Sequence, residues 1–354
     1  MAGRKIGGEW VFRDALRKEW FYNMKKLILS TLLLLSLLLL AACGGQGAGD
    51  GADSGLEQIS FVLEWEPNTN HTGVYVAQAM GFYETAGLSV EILTPPETGA
   101  AAFVASGRAQ FGVDVQEYLG IELTLADPMP ITAVAAIISH NNSGIISLKE
   151  KGIDDFSKLE GKSYASWEAP AELEILRQTM LDAGGDFEQL ITIAAPATDA
   201  VSMISSGLVD AVWVYENWDV VAAELAGVEY NFLRFADASP VLDFYTPLII
   251  GNNDFLASHP DTARRFVQAT AEGYTYAINN PDAAAEILLA AVPELSADLI
   301  YASQAYLAGA YASEGLPWGV FDEARWTVFY DWMYEQGILP EPLGSQGFTN
   351  AFIL

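Results

Sequence analysis

Ile59-Ser60-Phe61-Val62-Leu63 is followed, after Glu64, by Trp65-Glu66-Pro67-Asn68-Thr69-Asn70-His71-Thr72-Gly73. A partly apolar segment then runs to Gly81, with Val74, Ala77 and Gln78-Ala79 on one face. The first run has the β-branched and aromatic content of a strand, and the last has helical spacing. Between them lies a loop of polar and aromatic residues. Strand, polar loop and helix in this order open an α/β domain.

The pattern continues outward. Leu88 to Leu93 alternates as a strand, Phe103-Val104-Ala105 ends a short helix at Gly107, and Phe111-Gly112-Val113 forms the next strand. This βαβα order predicts a largely parallel sheet. Ser106-Gly107-Arg108-Ala109-Gln110-Phe111-Gly112-Val113 then recurs in outline as Ser206-Gly207-Leu208-Val209-Asp210-Ala211-Val212-Trp213, each after a proline (Pro95-Pro96, Pro196) and a short helix. Gly107 and Gly207 stand where a helix end calls for a left-handed residue. Two such units predict two lobes. Beyond Tyr245 the chain makes one more strand, Leu248-Ile249-Ile250-Gly251. It then turns helical over 261–279, 281–291, 296–312 and 321–336. Trp326, Phe329, Tyr330, Trp332 and Met333 recur at helical spacing and are assigned to the core.

The N-terminus reads as an export signal. Lys25-Lys26 precede an apolar run from Leu27 to Leu40, shorter than the about 20 residues of a comfortable membrane span. Leu40-Ala41-Ala42-Cys43 ends it and resembles a bacterial lipobox, in which the cysteine is lipidated. Met24 stands directly before the lysines, so 1–23 is expected to be an upstream extension of the reading frame. The Gly/Ala/Asp/Ser-rich stretch that follows is a flexible tether. The expected organisation is therefore export signal (1–42), lipidated tether (43–56), lobe 1 (57–143 and 246–354) and lobe 2 (144–245).

The chain has 354 residues and a formal charge of −29, which argues against nucleic-acid binding. Cys43 is its one cysteine, so no disulfide framework or thiolate metal site is expected. Phosphate-loop, zinc-helix and nucleophile-elbow motifs are absent, and the three histidines, His71, His140 and His259, are widely spaced. No catalytic residue, metal or cofactor is therefore assigned.

What stands out is a set of polar-aromatic clusters at strand ends, where open α/β sheets bind ligands. Besides Trp65–Gly73 these are Asp114-Val115-Gln116-Glu117-Tyr118, Trp167-Glu168-Ala169-Pro170-Ala171-Glu172 and Trp213-Val214-Tyr215-Glu216-Asn217-Trp218. His140-Asn141-Asn142-Ser143-Gly144 lies between the two repeats as a crossover. Trp and Tyr offer faces for a planar ring, and Asn, Gln, Thr and Glu bond its edge. None of the clusters holds Lys or Arg, so a neutral or weakly basic ligand is expected. Plainer readings stand beside these. Pro67 to Asn70 also suits a tight turn and helix cap, Glu172 a favourable charge in a first turn behind Pro170, and His71 a structural histidine. Of Trp213 and Tyr215, one is assigned to the core.

The opening from Trp65 to Ala77, with Gly81-Phe82-Tyr83 and Gly87-Leu88-Ser89-Val90, resembles a bacterial binding-protein family. That family comprises binding proteins for thiamine-pyrimidine precursors, which serve ATP-driven importers, with riboflavin-binding relatives and the yeast-type pyrimidine synthases. Gly161-Lys162, Trp167, Pro170, Glu172 and Phe348-Thr349-Asn350 continue the resemblance over 57–354. It implies a type II-like periplasmic-binding-protein fold with a ligand cleft between the lobes. The chain would leave lobe 1 near Ser143 and return near Tyr245. Ligand-binding roles carry over to Trp65, Asn68, Asn70, His71, Trp167 and Glu172. Strand-end placement adds Gln116, Tyr118, Tyr215 and Trp218, and the crossover adds Asn142.

Two departures matter. The synthases carry a cysteine-rich iron-binding segment, and this chain has no cysteine after Cys43. Around Trp167 the pyrimidine binders have glycine-rich neighbours, whereas here Ala165-Ser166 and Glu168 stand. The implied partners are the permease and ATP-binding subunits of an importer, the membrane through the lipid on Cys43, and a small ligand. That ligand is riboflavin or a formylated or hydroxymethyl aminopyrimidine. Trp65, Tyr118, Trp167, Tyr215 and Trp218 offer more face than one ring covers, which favours riboflavin slightly. The competing classes are a pyrimidine-forming enzyme and a scaffold or adhesion lipoprotein.

Overall fold

The computed structural model describes residues 55–195, 199–313 and 315–354. Cys43, the export signal, the tether up to Ser54 and Pro196 lie outside the described residues.

Among the described residues, ten strands form two five-stranded sheets. The first contains β1 (Glu57–Val62), β2 (Leu88–Leu93), β3 (Phe111–Asp114), β4 (Ile131–Ala136) and β10 (Leu248–Asn252), in the order β2-β1-β3-β10-β4. The second contains β5 (Ser143–Leu148), β6 (Ser163–Ser166), β7 (Ile191–Ala194), β8 (Ala211–Tyr215) and β9 (Tyr230–Arg234), in the order β7-β6-β8-β5-β9. Central strands are buried on both faces and read as unbroken apolar runs, as in Leu248-Ile249-Ile250.

Each sheet is largely parallel, as expected, with one strand reversed. β1 pairs in parallel with β2 and β3, but β10 runs antiparallel to both β3 and β4. β5 likewise runs antiparallel to β8 and β9. The cause is connectivity. β5 follows a crossing out of the first sheet and β10 a crossing back, so each enters its new sheet from the opposite end. The two crossings lie side by side. Asn141 Nδ2 donates to Leu242 O at 2.8 Å, and Ile137 N donates to Pro247 O at 3.0 Å.

Helices cover the sheets: α1 (Thr72–Ala79), α2 (Ala100–Ala105), α3 (Gln116–Leu123), α4 (Pro170–Asp182), α5 (Ala200–Ser205), α6 (Pro260–Asn279), α7 (Pro281–Ala291), α8 (Ala297–Leu307) and α9 (Glu323–Glu335). Prolines at the first positions of α4, α6 and α7 suit helix starts, where no backbone N–H is needed. α6 crosses α1 at a glycine contact. A Cβ on Gly273 would sit 2.0 Å from Gly73 O. α8 stops well short of residue 312, where the sequence pattern had carried it. Past Gly309 the chain turns inward, and Tyr311 donates its hydroxyl to Thr69 O at 2.6 Å. In α9, Trp326, Phe329, Tyr330 and Met333 are fully buried, while Trp332 is half-buried. Tyr330 packs on Gly120 and donates to Gln116 O at 2.9 Å, which fixes α3 beneath the cleft.

Candidate ligand-binding cleft

A cavity of about 540 Å³ opens between the two sheets. Its walls include the ends of β1, β3, β6 and β8 and the residues just beyond them, the chain from Thr98 to Ala102, and Thr246-Pro247 from the returning crossing. That volume lies within the ordinary range for small-ligand sites.

The β1 end supplies Glu64, Trp65, Asn68 and Asn70. Asn68 caps the following turn: its Oδ1 accepts from Asn70 N at 2.8 Å, and its own N–H donates to His71 Nδ1 at 3.2 Å. That backbone donor places the ring proton of His71 on Nε2, which donates to Glu64 Oε2 at 2.7 Å. His71 is fully buried behind the wall and orients Glu64 there.

The β3 end supplies Asp114, Glu117, Tyr118 and Glu122. Asp114 and Glu117 are 7% and 5% exposed. Val115 N donates to Asp114 Oδ1 at 2.8 Å, the Asp114 and Glu122 carboxyls bond each other, and Glu117 Oε2 is buried without a hydrogen-bond partner. Burial, and then the facing Glu122, hold the Asp114 carboxyl well above the usual carboxylate range; burial also raises Glu122. Burial pushes Glu117 up to about 7. All three carboxyls are raised because charge in a dry wall is costly.

The β6 end presents Trp167, exposed at 37% despite its apolar ring. Glu172, near the start of α4, builds the loop that carries it. Its carboxylate accepts from Tyr164 Oη at 2.7 Å, Trp167 N at 3.1 Å and Ala169 N at 3.2 Å. Between them Glu168 takes a left-handed backbone with φ +60°, a conformation non-glycine residues rarely adopt and one that recurs at binding sites.

The β8 end supplies Trp213, Tyr215, Asn217, Trp218 and Asp219, the last four around one π-helical turn over Glu216–Val220. Such turns recur at functional sites. Burial pushes Asp219 up to about 6. Trp213 is buried against Phe235 at 4.1 Å between ring centroids, yet still faces the cavity with Tyr215. Trp213 is thus the core member of the pair, and it lines the cavity as well. Residues two apart on a strand share a face.

Contacts bridge the cleft. Trp65 meets Trp218 edge-on at 6.5 Å, and Asn217 Nδ2 donates to Asn70 Oδ1 at 3.1 Å. Glu216 accepts from Tyr306 Oη at 3.0 Å.

Of the residues expected at the site, Trp65, Asn68, Asn70, Tyr118, Trp167, Tyr215 and Trp218 line this cavity. His71 and Glu172 stand behind it as described. Gln116 is fully buried, and its Oε1 accepts from Tyr245 N at 2.6 Å. Asn142 donates through Nδ2 to Asn217 Oδ1 at 2.8 Å and lines a separate hollow of about 390 Å³ with His140 and Arg234. Glu64, Asp114, Glu117, Glu122, Asn217 and Asp219 were not singled out. Most stand inside or beside the clusters read from sequence, but 46 acidic residues gave these few no distinguishing mark. Among the described residues that line the cavity there is no lysine or arginine, and no three of His, Cys, Asp or Glu gather as a metal site would require. No described helix is long and apolar enough to cross a membrane.

The comparisons with known proteins fit this geometry. The NMT1/THI5-like family model matches residues 68–284. A formylaminopyrimidine-binding protein of Halalkalibacterium halodurans is 26% identical, over 89% of this chain and 95% of that protein. Riboflavin-binding protein RibY of Chloroflexus aurantiacus is 25% identical, over 93% and 99%. A pyrimidine phosphate synthase of Saccharomyces cerevisiae, THI13, is 26% identical, over 84% and 88%. The alkanesulfonate-binding protein SsuA of Xanthomonas axonopodis superimposes with a TM-score of 0.64 at 11% identity, covering 82% of this chain and 98% of that one. The fold is thus the two-lobed α/β fold of periplasmic solute-binding proteins, and the chain belongs to the NMT1/THI5-like family.

Proposed function

We propose that this protein is the solute-binding component of an ATP-driven importer, that it captures a flat heteroaromatic ligand between its lobes, and that it does so without turnover. The observation that carries the reading is the cavity itself. Trp65 from one side and Trp167, Trp213 and Trp218 from the other converge on a space of about 540 Å³. Planar rings are held by such faces and oriented by the polar groups between them.

An aminopyrimidine is the ligand the polar groups favour. Glu64, Asp114, Glu117, Glu122 and Asp219 line the walls, and carboxyl groups accept from amines. Riboflavin is the second reading, supported by the number of aromatic faces. Its advantage shrinks in three dimensions, because Trp65 packs against Trp218, and Trp167 lies 6.0 Å from Trp213. Part of that surface is spent on neighbouring rings. In this reading residues 57–143 with 246–354 and residues 144–245 move as the two lobes, and the lipid on Cys43 holds the protein at the outer face of the membrane beside its permease.

The competing class is a pyrimidine-forming enzyme. Purified protein incubated with iron, pyridoxal phosphate and candidate ligands should bind a planar ligand one-to-one and release no product. Multiple-turnover product would overturn the proposal, and absence of any saturable binding would favour a scaffold. Cys43→Ala should shift the protein from the membrane to the soluble fraction; a variant still membrane-bound would sink the anchor.

A further inference from the structure

The wall at the β3 end is unusual in what it leaves unpaired. Glu117 is nearly fully buried, lines the cavity, and has an Oε2 with no partner. Thr246 is fully buried, lines the same cavity, and sets its hydroxyl beside the Glu117 carboxyl. Buried polar atoms are nearly always bonded, so an unpartnered carboxyl oxygen facing the cavity marks where a ligand's polar edge belongs.

The charges around Glu117 are all of one kind. On its own helix stand Tyr118 and Glu122; β3 contributes Asp114, α9 contributes Tyr330, and β8 contributes Tyr215. Each of the three tyrosine hydroxyls is held above its ordinary range, chiefly by burial, so none of them ionises near neutrality. No cation is available to Glu117 from these elements. Its carboxyl therefore sits protonated in part at neutral pH, and an incoming positive charge would stabilise its ionised form.

We propose that Glu117 is the specificity-determining residue of the cleft: it pairs with a ring edge that carries a basic ring nitrogen beside an exocyclic amine, and the complex holds one proton between that nitrogen and the carboxyl. This rests on the planar-ligand reading above and deepens it. The proton balance is simple. A neutral ring with a protonated carboxyl, or a ring cation with a carboxylate, contains the same single proton. The ring N–H and the amine N–H then donate to the two carboxylate oxygens. Above the Glu117 range both free partners lack that proton, so binding must take it from solvent. A ring without a basic edge, such as a flavin, has no use for it.

The test is calorimetric titration with 4-amino-2-methylpyrimidine and, separately, riboflavin, in two buffers of different ionisation enthalpy. At pH 8.5 wild-type protein should take up about one proton per aminopyrimidine bound, and its affinity should fall about tenfold per pH unit above pH 8. Glu117→Gln can bond the neutral ring edge through its amide. It should bind without proton uptake, with an affinity flat between pH 6.5 and 9. Wild-type binding of the aminopyrimidine with no proton exchange overturns the proposal, as does a Gln variant that keeps the uptake. Binding of riboflavin but not of the aminopyrimidine overturns it while leaving the planar-ligand reading intact. Binding of neither overturns both. The wild-type proton count needs no variant, so the outcome stands even where Glu117→Gln fails to fold.

Discussion

The ends of β3 and β8 are built on one plan and finished differently. Each follows a six-residue helix, α2 or α5, and a serine-glycine turn in which Gly107 and Gly207 both adopt φ +72°. The end of β3 and the helix after it place Asp114, Glu117 and Glu122 in the cavity wall; the end of β8 and the turn after it place Trp213, Tyr215 and Trp218 there. One end makes an acid wall and the other an aromatic wall. A shared backbone device thus sets where the two walls stand, and in the proposed reading side chains decide which wall meets a ligand's edge and which its face. The support differs too. Tyr330 of α9 locks the acid helix through Gly120 and Gln116, whereas Phe235 backs the aromatic wall behind Trp213.

The comparison breaks most sharply at Trp213. Its ring is both wall and core, so Trp213→Ala should cost about 3–5 kcal/mol in chemical denaturation and abolish detectable binding. Loss of binding with unchanged stability would contradict the dual role.

The acid wall should show itself in the unliganded protein's pH profile. A carboxyl raised on folding makes the native state hold more protons than the unfolded chain between its two ranges. Stability therefore falls as pH rises from about 4.5 through about 7. For Glu117 the loss by pH 8 is on the order of 3 kcal/mol, with Asp219, raised to about 6, adding in the same direction. Urea denaturation of wild type and Glu117→Gln at pH 5 and pH 8 checks this. The variant should lose less stability than wild type over that range, and equal losses would remove the acid wall from the account.

Smaller effects sharpen the picture. Trp167→Ala removes an exposed face and should weaken ligand binding about tenfold while leaving stability nearly unchanged. Asn217→Ala breaks the amide bridge from Asn142 to Asn70. It should cost about 1 kcal/mol in denaturation, with a modest increase in ligand dissociation rate.

Much of this architecture is visible in the sequence because it is local. The strand at 59–63, the polar loop after it, the helix from Gly73 and the paired Ser-Gly turns all follow from short-range pattern and turn chemistry. Strand direction is not local. Nothing within Leu248-Ile249-Ile250 says that it will lie antiparallel beside β3, because that depends on the chain returning from the other lobe. At the site, clusters located the cavity but not the direction of each side chain. His71 and Glu172 stand in the right loops and point away from the cavity, one to Glu64 and the other to the backbone under Trp167. Glu117 lies one residue from two expected ligands, Gln116 and Tyr118. Helix rotation brings it and Tyr118 to the cavity and turns Gln116 into the core.

The central claim is a planar ligand held between the two walls. The most direct measurement is a paired titration at pH 7: riboflavin followed by its own fluorescence, and a formylated aminopyrimidine followed by calorimetry, each against wild type and Trp167→Ala. The account predicts one saturable site at micromolar protein, occupied by the aminopyrimidine in preference to the flavin and weakened by the substitution. No saturation by either ligand would contradict it.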